Sequence, residues 1–204
     1  MADQFARELL CAVEDAARRH RMSACAIADL TGLHGRADDA FALVGRRFGR
    51  AVVMGVRLQD AVLESLGKGP SLLYFHMYRQ ANYQLDRAAF EVADILQGAG
   101  WAAMAIPASQ IVGKDPMRGH ISHKLLGWMA GIGWIGRSSL LVHPEFGARM
   151  RYVSVLTDAP LPAGVRHEGS CGDCRHCVAV CPAGAIRERV EDFDLAACYA
   201  KLCE

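Results

Sequence analysis

The chain has 204 residues, 52% of them hydrophobic and 22% charged, the make-up of one sizeable folded domain or of a domain with a small appendage, which excludes disorder over most of its length. Lys and Arg number 23 against 22 Asp and Glu, and the resulting net charge of +1 excludes a global field that would draw the chain onto nucleic acid or an anionic membrane. No run approaches the ~20 apolar residues of a spanning helix, and Asp3, Arg7, Glu8, Glu14 and Asp15 interrupt any export signal, so the expectation is a cytoplasmic protein without membrane contact.

Along the chain, Phe5, Leu9, Val13 and Ala16 or Ala17 recur at three- and four-residue spacing and predict a packing helix over 3–20. Residues 22–30 read as a buried strand, with loop punctuation at Thr31-Gly32 and His34-Gly35. A short helix is expected over 38–47, a second strand over 51–58 and another short helix over 59–66. After the breaker Gly67-Lys68-Gly69-Pro70, Ser71 is the expected N-cap of a long helix over 72–97, closed by Gly98 and Gly100. A third strand follows over 101–106 and stops at Pro107. A helix from Ser122 carries Leu125, Leu126 and Met129, and two more strands are expected at 140–142 and 151–156. The alternation of helix and strand predicts an α/β (α+β) domain built on a mixed sheet. Pro160, Pro162, Gly164 and Gly169 mark a connector, which divides a cofactor domain over 1–158 from a module over 159–204.

Of eight cysteines, Cys11 and Cys25 are expected in the core, whereas Cys171, Cys174, Cys177, Cys181, Cys198 and Cys203 crowd the C-terminal stretch. In a reducing compartment that clustering points to metal or redox chemistry rather than to disulfides. Cys171, Cys174, Cys177 and Cys181-Pro182 spell C-x2-C-x2-C-x3-C-P, the spacing of a bacterial ferredoxin cluster loop, in which two intervening residues let successive thiolates converge on one cubane. Structural zinc fits less well, because zinc ribbons separate their two cysteine knuckles by a longer insert. Two cubanes would require eight thiolates and the module has six, so either it belongs to a two-cluster arrangement cut short, or it keeps one cluster with Cys198 or Cys203 as fourth ligand. The alternative for Cys198 and Cys203 is that of apolar helix residues. A module this small cannot fold on burial alone and needs metal.

Gly131, Gly133 and Gly136 match G-x-G-x-x-G, with Asp158 downstream. A dinucleotide-binding turn runs from strand to helix, and here a helix is expected before Gly131 and a strand after Gly136, the reverse order. The glycines are expected instead to let backbone approach a flat cofactor or a cluster, with helix termination as the alternative.

Residues 130–142 (AGIGWIGRSSLLV), then Pro144-Glu145-Phe146-Gly147, then Leu156-Thr157-Asp158 ahead of the cysteine run together resemble the epoxyqueuosine reductase family, which is related to the corrinoid reductive dehalogenases. The likeness is clear over about 120–185 and extends more faintly to Asn82-Tyr83, Leu85-Asp86-Arg87 and Ile106-Pro107. It implies a nitroreductase-like mixed-sheet domain that holds a corrinoid (cobalamin), followed by a ferredoxin-like domain with 4Fe–4S clusters that pass electrons to cobalt. It also implies cofactor binding by Gly131, Gly133, Trp134, Gly136, Arg137 and Ser138, and an external electron donor such as ferredoxin or flavodoxin. Family members reduce an epoxide in the wobble nucleoside of tRNA.

Where the family carries Gly-Lys-Asn after the tryptophan, this chain has Gly136-Arg137-Ser138, and Met117 stands where the family's acidic proton donor would fall. Asp115 lies two residues out of register, so the candidate proton donors are Asp115, His120 and His123, the histidines because they titrate near neutrality. Tyr78, Tyr83 and Arg87 could line the cofactor face of the long helix, aromatic residues at helical spacing being more often core. Arg46-Arg47 with Arg50, and Arg18-Arg19 with Arg21, are small basic clusters, and charge alone gives no support for tRNA. Two rival readings are a non-enzymatic electron carrier and a flavin-using nitroreductase relative.

Overall fold

The computed structural model describes residues 2–31, 48–67, 69–114 and 117–203. Its elements run α1 (Ala2–Arg19), β1 (Ala24–Asp29), β2 (Arg50–Arg57), α2 (Asp60–Glu64), α3 (Leu72–Gly98), β3 (Ala103–Ile106), β4 (Gly113–Lys114), β5 (Met117–Arg118), α4 (His123–Met129), β6 (Trp134–Ile135), β7 (Leu141–Val142), β8 (Met150–Thr157), α5 (His176–Val180), a 3-10 turn (Val190–Asp192) and α6 (Leu195–Cys203). The helix expected over 38–47, the loop signal at His34-Gly35 and the pair Arg46-Arg47 lie outside the described residues.

Leu9, Val13, Ala16 and Ala17 of α1 are buried as their spacing requires, but Phe5 is 45% exposed and Ala6 beside it takes the buried position of the first turn. Ser71 caps α3 by accepting the Tyr74 N–H at 3.1 Å. At its other end Gly100, at φ +87, lets Trp101 N–H reach Leu96 O and its own N–H reach Gln97 O, the paired closure in which a left-handed residue satisfies the last carbonyls of a helix. The same closure ends α1 at Arg21 (φ 55) and α4 at Gly131 (φ 84).

The main sheet has the order β1-β2-β8-β3, and every neighbouring pair in it is antiparallel. The expected mixed sheet is therefore corrected. Strands β2 and β3 run the same way with α3 between them in sequence, but β8 arrives from later in the chain and inserts between them, antiparallel to both. The third strand also starts at Ala103, two residues later than expected.

Because β8 is central, both of its faces are covered. Val153 and Val155 pack with Val52 and Met54 under α1 and α3, while Met150, Tyr152 and Leu156 pack with Ala51 and Val53 under α4. Each fully buried Leu or Val in these clusters contributes about 1.5–3 kcal/mol relative to exposure. Cys25 is half-buried against the first cluster, and burial pushes its thiol up to about 11; Cys11, expected in the core, is exposed on α1.

Beyond Thr157 the chain carries neither helix nor strand until α5. Its first part is tied to the sheet: Ala159 and Leu161 are buried in the α1/α3 cluster, Arg50 Nε donates to Leu161 O, and Gly164 N–H donates to Ile27 O. From Cys171 onward the described chain is different. Ala185 is its one buried residue. No helix among the described residues is long and apolar enough to cross a membrane.

Candidate functional site

The segment that follows α4 turns the chain from the helix into the β6–β7 hairpin and then meets the cysteine loop. Gly131 closes α4, and a Cβ there would come within 2.3 Å of Val165 O. At Gly133 a Cβ would meet Val142 O at 2.0 Å, across the hairpin, and at Gly136 it would meet Val142 Cγ2 at 2.8 Å and Cys171 Sγ at 3.3 Å. Gly131 and Gly133 thus let the chain's own backbone approach on the side where a Cβ would stand. Gly136 has a different neighbour: it makes room for a cysteine of the loop.

The hairpin turn is closed by Gly136 N–H to Leu140 O and Ser139 N–H to Gly136 O, with Ser139 at φ 58. Lys124 Nζ donates to Ser139 O at 2.5 Å, and burial lowers the Lys124 pKa. From this turn Arg137 extends across the cysteine loop. Its Nη2 donates to Gly172 O, its Nη1 to Cys174 O and its Nε to Glu188 O, each at 2.9 Å. Ser138 sits half-buried in the same turn. Trp134 packs against His167, ring centroids 5.5 Å apart, and its Nε1 is buried without a hydrogen-bond partner.

In the loop, Cys174 N–H donates to Cys171 O at 3.0 Å, Cys177 lies in α5, and Cys181 ends that helix. Burial works to raise the Cys181 thiol, but hydrogen bonds from the Ile186, Ala185, Ala183 and Gly184 backbone outweigh it and hold the pKa below the ordinary value. Cys198 and Cys203 lie on α6, whose start is fixed by Asp194: its Oδ1 accepts the Ala197 N–H and its own N–H donates to Ala185 O. A side-chain hydrogen bond with Cys203 raises the Tyr199 pKa. All six of these cysteines are free thiols and half-buried or exposed. Among the described residues no three His, Cys, Asp or Glu side chains stand close enough to grip one metal ion. The chemistry of the donor set nevertheless fits an iron–sulfur cluster: free thiols at cluster spacing, backbone N–H groups that favour thiolate at Cys181, and a module with almost no core of its own.

The proton-donor candidates separate. Asp115 lies outside the described residues, and His120 is exposed. His123 is held from both sides: Nε2 lies 3.0 Å from Pro107 O and Nδ1 2.9 Å from Ser154 Oγ. A carbonyl only accepts, so Nε2 carries the proton, and the fully buried Ser154 hydroxyl donates to Nδ1. Burial is the main cause of a lowered His123 pKa, aided by Arg151 and opposed by the Pro107 carbonyl and Asp86. His123 is a neutral strut between α4, β8 and the end of β3, with no ring nitrogen left for a substrate.

Nothing in the sequence marked Ser154 and Arg151 as partners in this layer. Arg151 donates to Asn82 Oδ1 and Ala108 O, and its guanidinium lies 4.2 Å from the ring centroid of the half-buried Tyr78. Tyr83 and Arg87 instead line an open groove of about 820 Å³ on the outer side of α3, with Phe90, Glu91 and His20.

The chain thus joins a helix-and-sheet body to a ferredoxin-spaced cysteine loop held on its glycine hairpin. No family model matches the chain. Epoxyqueuosine reductases do: that of a Synechococcus strain is 48% identical over 59 residues, 29% of this chain and 18% of that protein, and that of Escherichia coli is 42% identical over 59 residues, 29% and 16%. The matched segment therefore spans less than a fifth of these relatives. Among solved structures, a catabolic reductive dehalogenase in complex with 3-bromo-4-hydroxybenzoic acid aligns over 87% of this chain and 25% of its own at TM-score 0.70 and 19% identity. An epoxyqueuosine reductase with an epoxyqueuosine-modified tRNA stem loop aligns over 91% and 54% at TM-score 0.59 and 15% identity. The chain spans about half of that enzyme. The chain is thus similar in sequence to epoxyqueuosine reductases over one segment, and similar in fold to one of them over the larger part of its length.

Proposed function

We propose that the chain is an iron–sulfur reductase of the epoxyqueuosine reductase type, organised as a nitroreductase-like part over 1–158 and a ferredoxin-like part over 159–204. The observation that carries this reading is the four-cysteine loop held by Arg137 to the glycine hairpin. Cys171, Cys174 and Cys177 would hold a 4Fe–4S cluster with Cys198 or Cys203 as fourth ligand, Cys181 serving a second cluster in a two-cluster arrangement, and an external ferredoxin or flavodoxin would be the electron source. A corrinoid, when bound, supplies the low-valent cobalt that reduces the substrate. Support for it comes from the fold likeness to reductive dehalogenases, among them one whose dehalogenation is B12-dependent, whereas Gly131 and Gly133 are approached by the chain's own backbone.

In this reading the body orients the substrate and His120 or Asp115 supplies the proton, because both nitrogens of His123 are engaged. The substrate is nucleoside-like on the likeness to the enzyme solved with a tRNA stem loop, and the near-neutral charge adds no independent support for tRNA. The place of action is the cytoplasm. A second reading, a non-enzymatic electron carrier, draws on the locked His123 and on Val180, Tyr199 and Leu202, which stand exposed beside the cysteines.

The test is anaerobic titration of the iron-reconstituted chain with cob(II)alamin, followed by electron paramagnetic resonance. Tight binding with a base-off cobalt signal supports the reductase. An unchanged cobalt signal beside a good cluster signal removes the corrinoid step and favours the carrier.

A further inference from the structure

We infer that Arg137 is the positioning residue of the cysteine loop: its guanidinium fixes the loop backbone before any cluster is present and sets a permanent cation beside the thiols. The inference concerns the cluster site proposed above, and its structural half stands without that reading. The three carbonyls that Arg137 binds come from the first part of the cysteine run, Gly172 and Cys174, and from beyond its end, Glu188. One planar group therefore joins the loop's entry to its exit. A lysine could not do this, since an ammonium has no rigid fork to span three acceptors.

The base of the guanidinium is itself held. Its hairpin turn is tied to α4 by Lys124 through Ser139 O, and the neighbouring Gly136 admits Cys171 Sγ to the same turn. With a side chain only 19% exposed, Arg137 has given up much of its water. Glu188 Oε2 lies 4.0 Å from Nε and is itself engaged by Arg175 Nε at 3.0 Å. The guanidinium is thus held at 2.9 Å by three carbonyl dipoles, with the shared Glu188 carboxylate farther off. Beyond Cys171 the described chain buries Ala185 alone, so little else in the module could hold the loop in place.

The experiment compares the native chain with Arg137→Gln and Arg137→Lys. In the iron-free proteins, limited proteolysis within 172–188 reads loop closure. Arg137→Gln is cleaved roughly tenfold faster, equivalent to about 1.4 kcal/mol of lost hydrogen bonding, while circular dichroism of the body stays native. Arg137→Lys is cleaved nearly as fast, since the fork is lost. In the reconstituted proteins, potentiometric titration followed by electron paramagnetic resonance reads the charge. Arg137→Gln has a more negative midpoint, because the reduced cluster loses a stabilising cation, and Arg137→Lys lies between it and the native chain. Native cleavage rates in Arg137→Gln, or a native midpoint with faster cleavage, overturn the inference. Failure of the native chain to take up iron defeats the cluster reading instead, and the cleavage rates then decide the structural role by themselves.

Discussion

Gly133 and Gly100 are both glycines at chain reversals, yet they carry different loads. Gly133 faces Val142 O so closely that an added Cβ would lie 2.0 Å away, and backbone on both sides leaves no flexible group to yield. Gly100 has nothing within 4 Å and is required only for its φ of +87. Gly133→Ala is expected to cost about 2–3 kcal/mol through overpacking. Gly100→Ala should cost about 1 kcal/mol for the left-handed backbone. Urea unfolding of the two variants measures the difference, and equal losses would show that the hairpin can open. The glycine pattern itself was legible at once, but its purpose was not. Three glycines at this spacing can admit a phosphate, a corrin or another strand, and only the position of Val142 and Val165 shows that two of them admit the chain itself.

Among the elements, α4 is secured to the sheet by the His123 strut, and that strut is sensitive to pH. The folded-state pKa of His123 is lowered from 6.5, mainly by burial and further by Arg151, with the Pro107 carbonyl and Asp86 opposing. The unfolded chain therefore takes up the proton first on acidification. The strut's stability is complete above 6.5 and is lost as pH falls through the interval down to the depressed folded value. His123→Gln should flatten the dependence of stability on pH between 7 and 5, by up to about 1.4 kcal/mol per pH unit where the native chain is steepest. His143, lowered first by burial, raised by Glu145 and lowered by His167, contributes alike to both proteins and cancels. Parallel stability curves from chemical denaturation would rule the strut out as the titrating group. The helix itself was readable from Ser122 onward, and Ser122 does accept the Leu125 N–H. The role of His123 was not, because its partners Pro107 and Ser154 lie far along the chain and meet it only across the sheet.

For the molecule as a whole, the body and the cysteine module differ in what holds them. The body has two apolar clusters on opposite faces of one sheet, whereas the described residues beyond Cys171 bury little besides Ala185. Cys174→Ala should therefore lose iron and make residues 171–203 protease-sensitive, while the thermal transition of the body moves by no more than a few degrees. Iron content and a time course of proteolysis followed by mass spectrometry check this, and unchanged iron with unchanged protease resistance would remove Cys174 from the ligand set. The sequence by itself determined the helices and strands with strong periodicity or caps, such as α1, α3 and β8, because those signals are local and need no distant partner. It also determined the cysteine spacing, since ligand chemistry is written in residue type and interval. Tertiary structure alone decided that β8 enters between β2 and β3, that Arg137 spends its charge on loop carbonyls, and that His123 is locked. Each of those depends on which distant groups compete for the same strand edge, donor or acceptor, and that competition is settled only when the chain has packed.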